Sequence, residues 1–208
     1  MRTNFVLIDY ENVQPDAMSI IHGEHFRVMV FVGSSQTKVS FEVASSLQKM
    51  GDRAEYIKIN GNGSNALDFH IAYYIGVIAA EKPDTYFHII SKDSGFDPLI
   101  AHLKTKKIFA CRSPSINDIP AVKAANANGA GDKIDVIVVD LKRRGTSRPR
   151  AVKTLSSTIN SIFQKKLSAL EVELLVEDLK KKGLVKINGE KVSYSRRLQE
   201  LSATRLLN

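Results

Sequence analysis

The sequence predicts an α/β protein: a three-layer parallel sheet with helices on both faces, followed by a small, strongly basic helical domain that ends in a hairpin. Three observations predict it. Short apolar runs alternate with segments of helical spacing through the first two thirds, charge changes abruptly in the last third, and Asn-Gly stands between two short β-prone runs near the C-terminus. Phe5–Ile8, Phe26–Val32, Ala54–Ile59, Thr85–Ile90 and Lys107–Cys111 read as strands, rich in β-branched and aromatic residues and nearly continuous in hydrophobicity. Between them, 16–21, 38–50, 65–80 and 96–106 read as helices; Val39, Val43 and Leu47, for example, fall on one face. Five strands joined by four helices need crossover connections, hence a parallel sheet of the doubly wound class.

Composition bounds the rest. The 208 residues suffice for one ordinary domain and a small second one. A single cysteine, Cys111, allows no internal disulfide and no thiolate cage. The N-terminus carries no cationic leader with an apolar core, and no apolar run reaches membrane-spanning length, so the expectation is a soluble, cytoplasmic protein without a membrane partner. Net charge is +8, unevenly placed: residues 1–140 hold 14 basic and 16 acidic residues, residues 141–208 hold 16 and 6. A near-neutral body joined to a basic module points to a polyanionic partner, most often nucleic acid.

The second pattern begins after Ser113. Residues 132–143 read as a helix opened by Asp132 and closed by a basic last turn and Gly145. The stretch GTSRPR, 145–150, reads as a linker. Residues 152–163 and 169–182 read as helices, Gly183 stops the second, and Leu184–Ile187 and Lys191–Tyr194 form a hairpin about Asn188-Gly189. Domains are thus expected at 1–144 and 151–208, the latter resembling a winged helix-turn-helix. Its basic positions Lys153, Lys165, Lys166, Lys180, Lys181, Lys182, Lys191, Arg196 and Arg197 suit phosphate contacts, which give affinity without sequence reading. Protein docking or dimerisation is the other use of such a module.

Ligands of open α/β sheets bind at the carboxyl ends of the strands. Three such ends supply acids: LIDYENV gives Asp9, Glu11 and Asn12; NGNGSNALDFH gives Asp68; SKDSGFDPLI gives Asp93 and Asp97. With strands one and four adjacent, Asp9 and Asp93 lie side by side. Facing carboxylates resist joint ionisation unless a cation separates them. Oxygen ligands alone favour Mg²⁺ or Mn²⁺ over zinc, and that chemistry suits phosphodiester hydrolysis. Each acid also has a plain alternative: Asp93 and Asp97 flank a helix start, and Asn65-x-x-Asp68 resembles a capping box.

LIDYENV, ALDF and SKDSGFDPL, in that order over about residues 3–115, resemble the PIN-like nucleases, in particular the NYN branch. The resemblance implies metal-dependent hydrolysis of RNA, with RNA the more expected partner than DNA. It matches Asp9 and Asn12 to the first motif, Asp68 to the middle acid, Asp93 to the acid after strand four, and Ser91 to the serine before it. Many members carry a second aspartate where this chain has Gly95; others place their last acid where Asp97 stands. Lys92, beside Asp93, reads equally as a cation that steadies a phosphate or leaving group and as a solvated lysine. Members of the group often pair, and helix 65–80 is either core or the surface of a homodimer. The alternative function is a catalytically inert, nucleic-acid-binding regulator with this fold.

Other motifs carry less. Gly61-x-Gly-x-x-Ala66 follows the third strand, where a dinucleotide fingerprint follows the first. Gly129-Ala-Gly-Asp-Lys133 lacks P-loop spacing, His22 and His25 have no second pair for zinc, and His70 reads as a satisfied helix histidine.

Overall fold

The computed structural model describes residues 2–15, 21, 24–196 and 198. The helix expected at 16–21 and the basic position Arg197 lie outside the described residues, apart from Ile21. The chain divides into two compact units, Met1–Ile119 and Pro120–Asn208.

The first unit runs β1 (Thr3–Asp9), β2 (Phe26–Val32), α1 (Phe41–Met50), β3 (Ala54–Lys58), α2 (Ala66–Glu81), β4 (Thr85–Ile90), α3 (Phe96–Thr105) and β5 (Phe109–Ser113). All five strands pair in parallel, in the order β3-β2-β1-β4-β5. The direction in which strands are added across the sheet reverses between β1 and β4, the switch point where an open sheet parts to admit a ligand. Asp9 closes β1 there, and Ile8 pairs with Ile90 just before Ser91.

Alternation along the strands builds a core on each face. Phe5, Leu7, Met29, Phe31, Ile57, Phe87 and Ile89 pack with Leu67, Ile71, Ile75 and Ile78 of α2 and with Phe96 and Leu103 of α3. Val6, Ile8, Val28, Val30 and Ile90 point to the other face and are equally buried. Right-handed crossovers place α1 on that second face, because β2 to β3 advances opposite to β3 to β4 and β4 to β5. Each fully buried aliphatic side chain contributes about 1.5–3 kcal/mol of burial, so the sheet centre is the most stable part of the unit. Helix α2 is apolar all round: its inner side is core, while Phe69 and Tyr73 are 71% and 66% exposed.

Local chemistry shifts some expected ends. Helix α1 starts at Phe41, not Lys38, because Ser40 is its N-cap and accepts a bond from the Val43 amide. The last strand starts at Phe109, because Lys107 takes φ +60° to end the turn after α3.

The second unit contains α4 (Pro120–Asn126), α5 (Ala130–Arg144), α6 (Val152–Ile162), α7 (Ala169–Lys181) and the antiparallel pair β6 (Val185–Asn188) and β7 (Lys191–Tyr194). One core joins them, including Ile134, Ile137 and Leu141 of α5, Leu155 and Ile159 of α6, Val172, Leu175 and Leu179 of α7, and Val185 and Val192 of the hairpin. The sequence puts the boundary at 145–150, whereas the structure divides at Ile119, with α5 inside the second core. Residues 148–150 are held there: Arg148 Nε donates to the Leu141 carbonyl at 2.7 Å, Tyr194 Oη to the Pro149 carbonyl at 2.6 Å, and the Val192 amide to the Arg150 carbonyl at 2.9 Å.

The hairpin turn also moves by one residue. Asn188 pairs with Lys191, so the loop is Gly189-Glu190, with φ +57° at glycine alone. That is the type II′ pattern, which wants glycine first, whereas the sequence puts the turn at Asn188-Gly189.

Candidate active site

The acids at the switch point are held by different means. Asp9 is 1% exposed, and a buried carboxylate needs donors. Asn12 supplies two, from its backbone N at 3.2 Å and its Nδ2 at 2.7 Å, and Ser91 Oγ donates the third at 2.8 Å. Ser91, itself fully buried, accepts from the Asp93 amide at 3.0 Å. This chain of bonds ties the end of β1 to the end of β4.

Asp93 is half-buried, and its Oδ1 accepts the Gly95 amide at 2.7 Å, so one oxygen turns the chain into α3. A Cβ at position 95 would stand 3.2 Å from that oxygen, so the glycine that replaces an expected acid lets the turn close. Asp68 lies in the first turn of α2, where Asn65 adopts φ +65° and makes no side-chain cap. The capping-box explanation of Asp68 therefore fails. Its carboxyl is pushed up to about 6, first by burial and then by the charges of Asp9, Asp93 and Glu11. The charges of Asp9, Asp93 and Glu11 thus act on Asp68 in addition to its burial.

Asp97 is not among them. Expected to point back at the same site, it gives both carboxylate oxygens to Arg112 of β5, at 2.8 and 3.0 Å, which holds it below the usual carboxylate range. Arg112 also donates to the Ser91 carbonyl at 3.3 Å, bracing the end of β4 from the next strand. Lys92 is exposed.

Sequence reasoning missed one participant. Arg112 is a lone cation in the otherwise apolar run FACRS, and only the β4–β5 register places it beside Asp97. Glu11 was visible as an acid after β1, but its carboxylate lies over Gly33, where any Cβ would collide with it. His70 is the helix histidine expected, with Nδ1 2.7 Å from the Ala66 carbonyl.

Among the described residues, no three acidic, histidine or cysteine side chains stand close enough together to hold a metal ion. In chemistry the set fits a hard divalent cation: its donors are carboxylate oxygens, and such a cation relieves the repulsion that adds to burial in raising Asp68.

A parallel sheet in the order β3-β2-β1-β4-β5, with Asp9 at the end of β1 bonded through Ser91 to the end of β4, defines an open α/β domain with a polar switch point. The chain matches the family model of the PIN domain over residues 3–113 and belongs to that family. No curated protein and no solved structure matches it. PIN domains are commonly metal-dependent nucleases.

Proposed function

We propose that this protein is a metal-dependent nuclease of the NYN branch that hydrolyses RNA, with Mg²⁺ or Mn²⁺ as cofactor and the basic second unit, read as a winged helix, binding the substrate. The observation that carries the reading is geometric: in a PIN-family domain, buried Asp9 at the end of β1 is bonded through Ser91 to the strand end that bears Asp93, and Asp68, pushed up to about 6 first by burial and then by the charges of Asp9, Asp93 and Glu11, agrees with it. Asp9, Asp68 and Asp93 would hold the cation. When bound, the cation activates water and neutralises the charge that develops on the phosphodiester. Asn12 and Ser91 fix the orientation of Asp9, and the Asp93–Gly95 turn fixes that of Asp93. Asp97 acts through Arg112, holding the entry to α3 against the end of β4. Lys92, exposed beside Asp93, is placed to meet a phosphate. A homodimer and a cytoplasmic location belong to the same proposal; the outer face of α2, with Phe69 and Tyr73, is the apolar surface a second copy would use.

The test is cleavage of labelled single-stranded RNA and DNA with Mn²⁺, Mg²⁺ or EDTA, using Asp93→Asn as control. Cutting that needs the metal and falls at least about 100-fold in the variant supports the proposal. The second reading, an inert nucleic-acid-binding regulator, is favoured by the engagement of Asp97 with Arg112 and by the missing acid at Gly95. Salt-sensitive binding without any metal-dependent turnover would establish it in place of the nuclease.

A further inference from the structure

We infer that nucleic acid lies along α6 and the turn that follows it, and that α7 with its lysine-rich end does not carry it. The inference rests on the proposed function for its ligand class, a phosphodiester strand, and adds where that strand lies.

Charge in the second unit is segregated by helix. Residues 141–170 contain eight basic residues and no acidic one. Some of these cations are committed to the fold: Arg143 and Arg144 pair with Asp140 at 2.7 and 2.5 Å, and the Arg148 guanidinium lies 5.4 Å from the centre of the Tyr194 ring. Arg150, Lys153, Lys165 and Lys166 are all exposed, and no carboxylate pairs with them among the described residues. Along α6 itself, Lys153, Ser157 and Ser161 recur every four residues and are exposed, opposite the buried Leu155 and Ile159. They form a line about 12 Å long without an acid; the Ser161 hydroxyl donates to the Ser157 carbonyl at 2.8 Å, so Lys153 and Ser157 supply the donors that suit a phosphate backbone.

The turn after α6 adds a second, independent observation. Gln164 and Lys165 are consecutive left-handed residues, φ +57° and +61°, a conformation that glycine adopts freely and residues with a Cβ resist. The turn is stabilised by bonds from the Gln164 amide to Ser161, the Lys165 amide to Asn160 and the Lys166 amide to Phe163. Glycines would make it with less strain. What Lys165 supplies instead is a charge at the end of the α6 line, with Lys166 beside it. Strain kept where a relaxed residue would fit marks a site retained for binding.

Helix α7 has the opposite character. It carries Glu171, Glu173, Glu177 and Asp178, and its exposed face presents Leu170, Glu173 and Leu174. Lys180 pairs with Glu177 at 3.3 Å, and Lys182 is likewise engaged. A strand laid across this face would meet carboxylates. The helix that would enter a groove in an ordinary helix-turn-helix is thus the acidic one here, and the helix before it takes the strand.

The experiment uses the full chain in EDTA, with anisotropy of labelled single-stranded RNA and DNA over a range of salt and a thermal melt of each variant. Lys153→Glu with Lys165→Glu is expected to weaken binding at least about tenfold and to flatten the salt slope by about 1.4, two phosphate contacts on a single strand. Lys180→Glu with Lys181→Glu is expected to stay within about twofold. Lys165→Gly is expected to raise Tm while lowering affinity, a split that a purely structural role cannot give. A loss in the α7 pair as large as in the α6 pair, or wild-type binding by Lys165→Gly, overturns the inference and leaves the nuclease reading standing. No binding by the wild-type chain overturns both. The RNA and DNA arms show which strand the line accepts.

Discussion

Asp68 is a carboxyl whose proton is retained first by burial and then by the charges of Asp9, Asp93 and Glu11. Folding raises it from 3.8 to about 6, so the folded chain takes up a proton between those values that the unfolded chain does not. Stability without metal therefore falls as pH rises through about 4 to 6, and the cost is fully present at pH 7. Asp68→Asn removes the charge and keeps the shape. It is expected to stabilise the metal-free protein at pH 7 by about 1 kcal/mol, the full shift being discounted for partial exposure, and to leave it unchanged near pH 4. Adding Mn²⁺ should reverse the ranking, because a ligand stabilises only the form that binds it. Melting curves of both proteins at the two pH values, with and without Mn²⁺, check this; equal melting at pH 7 would remove the crowded-acid picture. The tie between the ends of β1 and β4 was legible because Asp9 and Asp93 each stand just past an apolar run that an open sheet sends to the same edge. Asp97 was misread for the same reason. Its spacing from Asp93 was plain, but its partner Arg112 comes from a strand whose register no local pattern reveals.

At the scale of elements, the strands were legible where hydrophobicity ran unbroken, and β2, β4 and β7 have the ends expected for them. Ends decided by a single backbone conformation were not, as with Lys107 before β5 and Gly189 in the hairpin. The hairpin is fixed on its outer side by Tyr194, whose hydroxyl donates to the Pro149 carbonyl under the guanidinium of Arg148. Burial pushes its phenol up to about 12, against the opposing pull of Arg148 and Arg144. An acid raised by folding keeps its stabilising effect below the ordinary tyrosine value and loses it as pH rises from about 10 towards 12. Tyr194→Phe removes both the hydroxyl bond and this titration. Urea unfolding at about pH 8 is expected to show the variant less stable by about 1 kcal/mol, the size of one hydrogen bond. The gap should close as pH is raised through the tyrosine range, because the variant lacks the Tyr194 phenol, whose ionisation favours unfolding of the wild-type chain. A gap that stays constant with pH would mean that the phenol is not held in its neutral form by the fold.

At the scale of the whole molecule, the charge step at residue 141 and the core step at residue 119 do not coincide, and this is why the domain boundary was not legible. Gly145 and Pro149 have the composition of a linker, and the charge changes just before them, but neither feature reports which core a helix joins. The acidic half of α5 resembles the first unit in charge, while Ile134, Ile137 and Leu141 on its inner side pack with α6, α7 and the hairpin. Among the described residues no helix is long and apolar enough to cross a membrane, so buried apolar faces must find partners within a core or in another chain. These facts distinguish two fragments. Residues 120–208 contain every element of the second core and the carbonyls of Leu141, Pro149 and Arg150 that hold Arg148, Tyr194 and β7. Residues 151–208 lack α5 and all three carbonyls, and would expose the faces of α6 and α7 that α5 covers. The longer fragment is expected to unfold cooperatively in urea, and the shorter to give a broad, low-amplitude transition. Circular dichroism and dispersion of amide proton shifts in the two fragments decide the matter. A cooperative 151–208 would return the boundary to residues 145–150 and make α5 a dispensable flank.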